Sequence, residues 1–407
     1  LQPQDDFPFM TMAPDHLTRG NAAEVLLIFL KLGVSCFGGP IAHIGYFRDE
    51  FVVRRRWLDE QAYADLVALC QFLPGPASSQ VGFSIGLMRA GYRGALAAWT
   101  GFTLPSAVAL VLFAFGANAL QGPAGTGLVH GLKLVAVAIV AQAVWGMARA
   151  LCPDRERASI ATVAALIILV SSSSVGQIAA IILGALAGLW LCPAPQTDGA
   201  THIAMPVSRR VGLALLALFI ALLIGLPLLA RIWPAVAVFD AFYRSGALVF
   251  GGGHVVLPLL REAVVTPGWI SDDAFLTGYG AAQAVPGPLF TFAAYLGAVI
   301  GGVPGAIKGL IGIFLPGTLI LLAALPFWGS FRKRADVQAM MRGVNAAVVG
   351  ILGAALYNPV WTSSVQRPLD FGIALAGFVL LTAWRAPPLV VVALSAVAGI
   401  ATGLLQS

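Results

Sequence analysis

Two Pro-Gly-Pro triplets, Pro74-Gly75-Pro76 and Pro286-Gly287-Pro288, each follow a glutamine by three residues, Gln71 and Gln283. Proline lacks an N–H and clashes with the helical turn before it, so each triplet ends one helix and lets another begin. The residues that follow are Ala77, Ser78, Ser79 and Gln80 in one case and Leu289, Phe290 and Thr291 in the other. A helix that starts there, in apolar surroundings, directs unpaired N–H groups and a partial positive charge at whatever lies before it. An anion is the natural occupant. Ser78, Ser79 and Thr291 offer hydroxyl donors as well. The same spacing also suits a plain kink with locally satisfied caps. Gln71 and Gln283 either donate to a ligand or satisfy a carbonyl that the kink frees.

Glycine runs form a second constellation, Gly38-Gly39-Pro40 and Gly251-Gly252-Gly253-His254. Consecutive glycines either let N–H groups form an anion-binding concavity or let two helices pack closely. Lys31 and Arg244 lie inside apolar stretches just before these runs. A charge within a membrane segment is costly and points to function, unless the side chain snorkels to the interface. Meeting near the midplane, the two cations would suit a dianion. His43, His254 and Asp65 are candidates for proton coupling, with structural hydrogen bonding as the alternative. Lys133, with Asn345 at the matching place, is a weaker candidate. No serine-hydrolase, zincin, Walker or dinucleotide fingerprint is present, and no metal or cofactor motif. The four cysteines show no zinc or disulfide spacing.

These residues must be positioned by membrane helices. Of 407 residues, 59% are hydrophobic and only 10% charged, against roughly 25% charged in a soluble domain. Mean hydropathy is +0.88. Lipid must face much of such a chain, which excludes an ordinary soluble enzyme, a disordered chain and a nucleic-acid-binding module. The net charge of +6 fits Lys/Arg enrichment in cytoplasmic loops and also helps an anion approach. Apolar stretches approach the roughly 20 residues that a spanning helix needs. The stretches 60–88 and 272–301 are broken by Gly and Pro, as at the binding sites of transporters. Residues 1–21 read as a tail with no signal peptide.

The chain repeats itself. Phe29-x-Lys31-x-Gly33-x-x-x-Phe37-Gly38-Gly39 matches Phe242-x-Arg244-x-Gly246-x-x-x-Phe250-Gly251-Gly252, 213 residues later. Trp57-Leu58 matches Trp269-Ile270, and the Gln-x-x-Pro-Gly-Pro motifs and Leu104-Pro105 with Leu315-Pro316 follow at nearly the same offset. Matching loops carry opposite charge character. Arg48, Arg54, Arg55 and Arg56 correspond to a loop with Arg261, Glu262, Asp272 and Asp273, whereas the neutral loop 117–126 corresponds to one with Arg332, Lys333 and Arg334. By the positive-inside rule one half lies upside-down relative to the other. The expectation is an all-α polytopic membrane protein with two inverted-topology repeats, whose broken or re-entrant helices meet near the membrane midplane. The repeats span 22–192 and 235–405, joined through 193–234, a linker and a connecting transmembrane helix. Treating 22–47 and 60–88 as re-entrant hairpins brings all loop charges into agreement.

The motif Phe37-Gly38-Gly39-Pro40-Ile41-Ala42-His43-Ile44-Gly45-Tyr46-Phe47, then Arg55-Arg56-Trp57-Leu58 and Gln71-Phe72-Leu73-Pro74-Gly75-Pro76-Ala77-Ser78, resembles the chromate ion transporter family in its long two-domain form. The second half resembles the family's second domain from Phe250 through Pro288, and the likeness covers about 22–405. It departs at His254, where an aromatic such as tyrosine is expected after the three glycines. The resemblance implies export of chromate from the cytoplasm, resistance to it, and a place in a bacterial inner membrane, with sulfate as the competing dianion. Uptake or exchange of sulfate or another oxyanion is the alternative. A membrane enzyme acting on an anionic lipid is a more remote one, which product formation by purified protein would reveal. A pore or scaffold would lack saturable flux. The expected partners are the oxyanion and the bilayer; a homodimer is compatible with the sequence.

Overall fold

The computed structural model describes residues 20–37, 39–116, 122–171, 174–193, 207–250, 256–328 and 334–405. Among these residues the only regular structure is helical. The first half contains α1 (Ala22–Ser35), α2 (Gly39–Arg48), α3 (Glu60–Phe72), α4 (Ala77–Gly116), α5 (Pro123–Leu151), α6 (Arg155–Val170) and α7 (Ser174–Leu191). A connecting helix, α8 (Arg209–Ile232), leads to the second half. There α9 (Pro234–Ala247), α10 (Val256–Val264), α11 (Asp272–Ala284), α12 (Phe292–Ala324), α13 (Ala335–Ala355), α14 (Pro368–Thr382) and α15 (Pro388–Leu404) follow in the same order. Five helices are long and apolar enough to cross a membrane. Leu112, Leu166, Leu186, Ile224, Leu375 and Val397 lie exposed on the outside of the bundle, a surface that only lipid covers without penalty. The chain is a multi-pass membrane protein.

The backbone repeats as closely as the sequence. Helix α4 breaks at Ala90 and Gly91, and Gly91 has φ +63° and ψ −156°. Helix α12 breaks at Gly301 and Gly302, and Gly302 has φ +62° and ψ −151°. Beyond each break the chain doubles back, so that Gly86 packs on Gly94 and Gly297 on Gly305. Only glycine fits such a backbone-to-backbone approach.

An ionic cluster shows where the first-half segments begin and end. Arg89, at the break in α4, lies 3.4 Å from Glu24 of α1 and stacks over Trp57. Arg55 bonds Glu50, just beyond α2, at 2.7 Å and lies 3.7 Å from Glu24. Arg48 bonds Glu60, at the start of α3, at 2.6 Å. Thus α1 runs away from this cluster and α2 returns to it; α3 runs away and the first segment of α4 returns. Both are hairpins with their tips far from their bases. In the second half Arg261 bonds Asp272 at 2.8 Å and joins the bases of α10 and α11 in the same manner.

Packing crosses between the halves. Helix α5 lies on α15, with Gly127 against Gly399 and Gly131 against Ser395. It also meets α14, where His130 Nε2 lies 2.9 Å from Asp370. Reciprocally, α13 of the second half lies on α7 and α6, with Gly343 against Gly184 and Gly188, and Gly350 against Ala161. The long helices α4 and α12 pack with Trp99 on Phe314 and Phe113 near Tyr295.

Candidate functional site

The first Pro-Gly-Pro corner is built from both sides. Asp59 caps α3 by accepting from the Ala62 N–H at 2.7 Å, and the helix ends at Leu73, whose backbone is extended. Gly75 then takes φ +117°, and a Cβ there would lie 2.9 Å from the Gly317 Cα of α12. Its N–H donates to the Val249 carbonyl, just beyond α9, at 2.8 Å. The second corner mirrors this. Gly287 has φ +101° and donates its N–H to the Cys36 carbonyl, just beyond α1, at 2.9 Å. Each corner is therefore clasped by the residues that follow the first helix of the other half, Val249 in one case and Cys36 in the other.

Beside the first corner lies a cavity of about 270 Å³, lined in the first half by Pro40, Gln71, Gly75 and Ala77 and by Gly146, Met147, Ala150 and Leu151 of α5, and in the second half by Asn345 of α13. Helix α4 starts at its edge. Its first turn offers backbone N–H groups, and Ser79 there, 6% exposed, has a buried Oγ with no hydrogen-bond partner. Ser78 Oγ lies 3.4 Å from His43 Nδ1, a ring buried edge-on against Phe102. Asn345 Oδ1 also lacks a partner. Gln71 is exposed and lines the same space. A helix N-terminus at the edge of an open volume, with an unspent serine hydroxyl in its first turn, matches the chemistry of anion binding; the Asn345 Oδ1 is an acceptor, and only the NH₂ of that amide could donate to an anion.

Other residues expected at the site are placed differently. The Gln80 amide donates to Pro74 O and Gly317 O, both at 2.9 Å; it braces the corner rather than facing a ligand. Thr291 Oγ1 donates back to Pro288 O at 2.7 Å, so its hydroxyl closes its own turn. Leu289, Phe290 and Thr291 form a 3₁₀ turn, all buried, and the second corner thus opens no α-helix start of the kind found at Ala77. Gln283 keeps an unpartnered Nε2. Lys31 is exposed on α1. Arg244 is bound bidentately by Asp240, one turn earlier, through Nε at 3.0 Å and Nη2 at 2.8 Å. Among the described residues no hydrogen bond or ion pair joins Lys31 to Arg244. Asp65 is buried on α3. Gly39 opens α2, whereas Gly38, Gly251, Gly252, Gly253 and His254 lie outside the described residues.

Asn345 enters the site with more weight than its sequence position suggests. Its counterpart Lys133 is committed elsewhere, to Asp273 at 2.7 Å. The signal was a lone amide within an apolar helix, in register with a lysine in the other half. Among the described residues no group of three or more His, Cys, Asp or Glu is placed to hold a metal, and the four cysteines are free thiols.

The fold and site together define a class: a multi-pass helical membrane protein of two like halves, with a small, mainly apolar chamber beside a broken helix of the first half that Asn345 of the second half also lines. Such a protein carries a solute. The chromate transporter family model matches residues 23–189 and again 236–400, and the chain belongs to that family of ion transporters. It is 30% identical to the chromate transport protein of Pseudomonas aeruginosa, over 88% of this chain and 86% of the relative. It is 28% identical to a probable chromate transport protein of Synechococcus elongatus, over 91% and 93%. Identity to the chromate transport protein of Cupriavidus metallidurans is 26%, over 92% and 90%. No solved structure matches the chain.

Proposed function

We propose that the chain is a secondary transporter that exports chromate from the cytoplasm across a bacterial inner membrane by alternating access. The observation that carries this reading is the 270 Å³ cavity at the start of α4, shared by both halves. The N–H groups of Ala77, Ser78 and Ser79, the Ser79 hydroxyl and the amides of Gln71 and Asn345 replace the water around a tetrahedral oxyanion. The cavity lining contains no charged side chain. Dipoles alone hold the dianion, which suits a site that must also release its cargo. Shape and charge are shared by sulfate, so the same donors accept it, and sulfate is the expected competitor.

Inverted halves are part of the proposal. The loop charges support it, since the basic loop at Arg54, Arg55 and Arg56 corresponds to the one with Glu262, Asp272 and Asp273. His43, between the Ser78 hydroxyl and the first hairpin tip, is the group through which a proton gradient acts on the site, with Asp65 as the second candidate.

The test is flux in proteoliposomes, first with chromate and then with sulfate, under an imposed pH gradient. Saturable chromate flux that sulfate inhibits, and that Asn345→Leu weakens, is the expected result. Flux that never saturates would mean a pore, and product formed from a lipid would mean an enzyme.

A further inference from the structure

A second and larger cavity, about 480 Å³, lies among α7, α8, α9 and α10 and is lined by Gln177, Arg231, Asp240, Arg244, Glu262 and Trp269, with Leu248 also in its wall. The side chain of Asp240 is 4% exposed and that of Arg244 44%. The carboxylate is therefore tucked behind and the guanidinium stands in the open, with Nη1 not engaged by Asp240. Arg231 is exposed in the last turn of α8. Glu262 accepts a hydrogen bond from the Thr266 hydroxyl at 2.9 Å. Gln177 is 5% exposed, and its Oε1 has no partner, a buried acceptor suited to the water that a hydrated anion carries.

The two cavities are neighbours. Leu248 borders the larger one. The next residue, Val249, accepts the N–H of Gly75, and Gly75 borders the smaller one. The contact between these two segments lies between the cavities. They reach towards opposite ends of the fold. The smaller ends at the last turn of α5, beside Arg149, Arg155 and Arg157. The larger ends at Glu262 in the last turns of α10 and at Pro267 and Trp269, in the loop that leads to Asp272 and Asp273 at the start of α11.

We propose that the larger cavity is an outer oxyanion-binding vestibule, in line with the inner chamber and closed off from it by the Gly75–Val249 contact and the Leu248 side chain. Arg231 and Arg244 supply planar N–H donors for a tetrahedral dianion. Asp240 and Glu262 balance their charge, so the anion is held loosely and released to the outside. Parting of Gly75 from Val249 joins the two chambers. This inference rests on the transport reading above and adds a place, a second binding site and a barrier.

The test uses the full chain in proteoliposomes of known orientation, with the four native cysteines replaced by alanine. Ala237→Cys reports on the vestibule and Ala150→Cys on the inner chamber. A membrane-impermeant methanethiosulfonate reagent is added from either face. Sulfate, which does not oxidise thiols, is the probe, against chloride at matched ionic strength. Labelling from opposite faces is expected, with sulfate slowing it several-fold and saturably at both positions. Arg231→Gln together with Arg244→Gln removes the protection at position 237 and keeps it at 150. Arg231→Gln alone, which leaves the Arg244–Asp240 pair intact, weakens it and covers the case in which the double variant fails to fold. Labelling of both positions from one face overturns the proposal, and so does protection at 237 that survives loss of the arginines. Saturable chromate flux without protection at 237 sinks the vestibule alone. Absence of flux in the same vesicles sinks the transport reading with it.

Discussion

At the scale of single residues, two equivalent glycines make unequal demands. A Cβ on Gly75 would meet the Gly317 backbone at 2.9 Å, whereas one on Gly287 would meet the Ser106 Oγ at the same distance. A serine side chain can turn aside and a backbone cannot. Gly75→Ala is expected to destabilise the protein by about 1–3 kcal/mol and to abolish chromate flux. Gly287→Ala should cost less in both, as thermal unfolding in detergent and flux assays will tell. Asn345→Leu removes one donor from the inner chamber. It should raise KM for chromate by about ten-fold, the worth of roughly one hydrogen bond, with little change in melting temperature. Asn345→Asp, by adding a negative charge, should be worse. The corners were legible in the sequence because proline and glycine act locally. The true state of Arg244 was legible too, in the Asp240-x-x-x-Arg244 spacing that places an acid one turn away. Its partner position in the first half is Leu27, so the repeat comparison hid the difference.

At the scale of elements, the broken helices separate backbone from packing. Gly91 has φ +63°, and a Cβ there would meet nothing within 4 Å. Gly91→Ala is thus a measure of backbone strain alone, about 1–3 kcal/mol. Gly86 instead faces the Gly94 carbonyl in direct contact. Gly86→Leu is expected to prevent the hairpin from closing, seen as loss of monodisperse protein by size-exclusion chromatography. A milder effect at Gly86 than at Gly91 would contradict this packing. Hairpins were legible from loop charge and interruption together. The 3₁₀ start after the second corner was not, because Leu289-Phe290-Thr291 has nothing in its composition that forbids an α-helix.

At the scale of the molecule, the halves exchange their helices. The duplication was legible from spacing, but the exchange was not. A stripe of small residues such as Gly127 and Gly131 reads the same whether it faces its own half or the other. Since α5 rests on α14 and α15, and α13 on α6 and α7, neither half has a complete core by itself. Expressed separately, residues 1–206 and 207–407 should each be degraded or aggregate. Expressed together, they should assemble and restore chromate flux, read out by co-purification through a tag on one piece. A stable, monodisperse first half on its own would refute the exchanged packing.

That exchange also sets a timetable for synthesis. When the ribosome has finished α7, the glycine face of α5 has no companion, and none exists until α14 and α15 emerge some two hundred residues later. During that interval the nascent first half sits in the bilayer with a notched, unfilled flank. Insertion factors that shelter small-residue grooves would find their client there, and the cell's quality control must tolerate a half-built protein until its last two helices arrive.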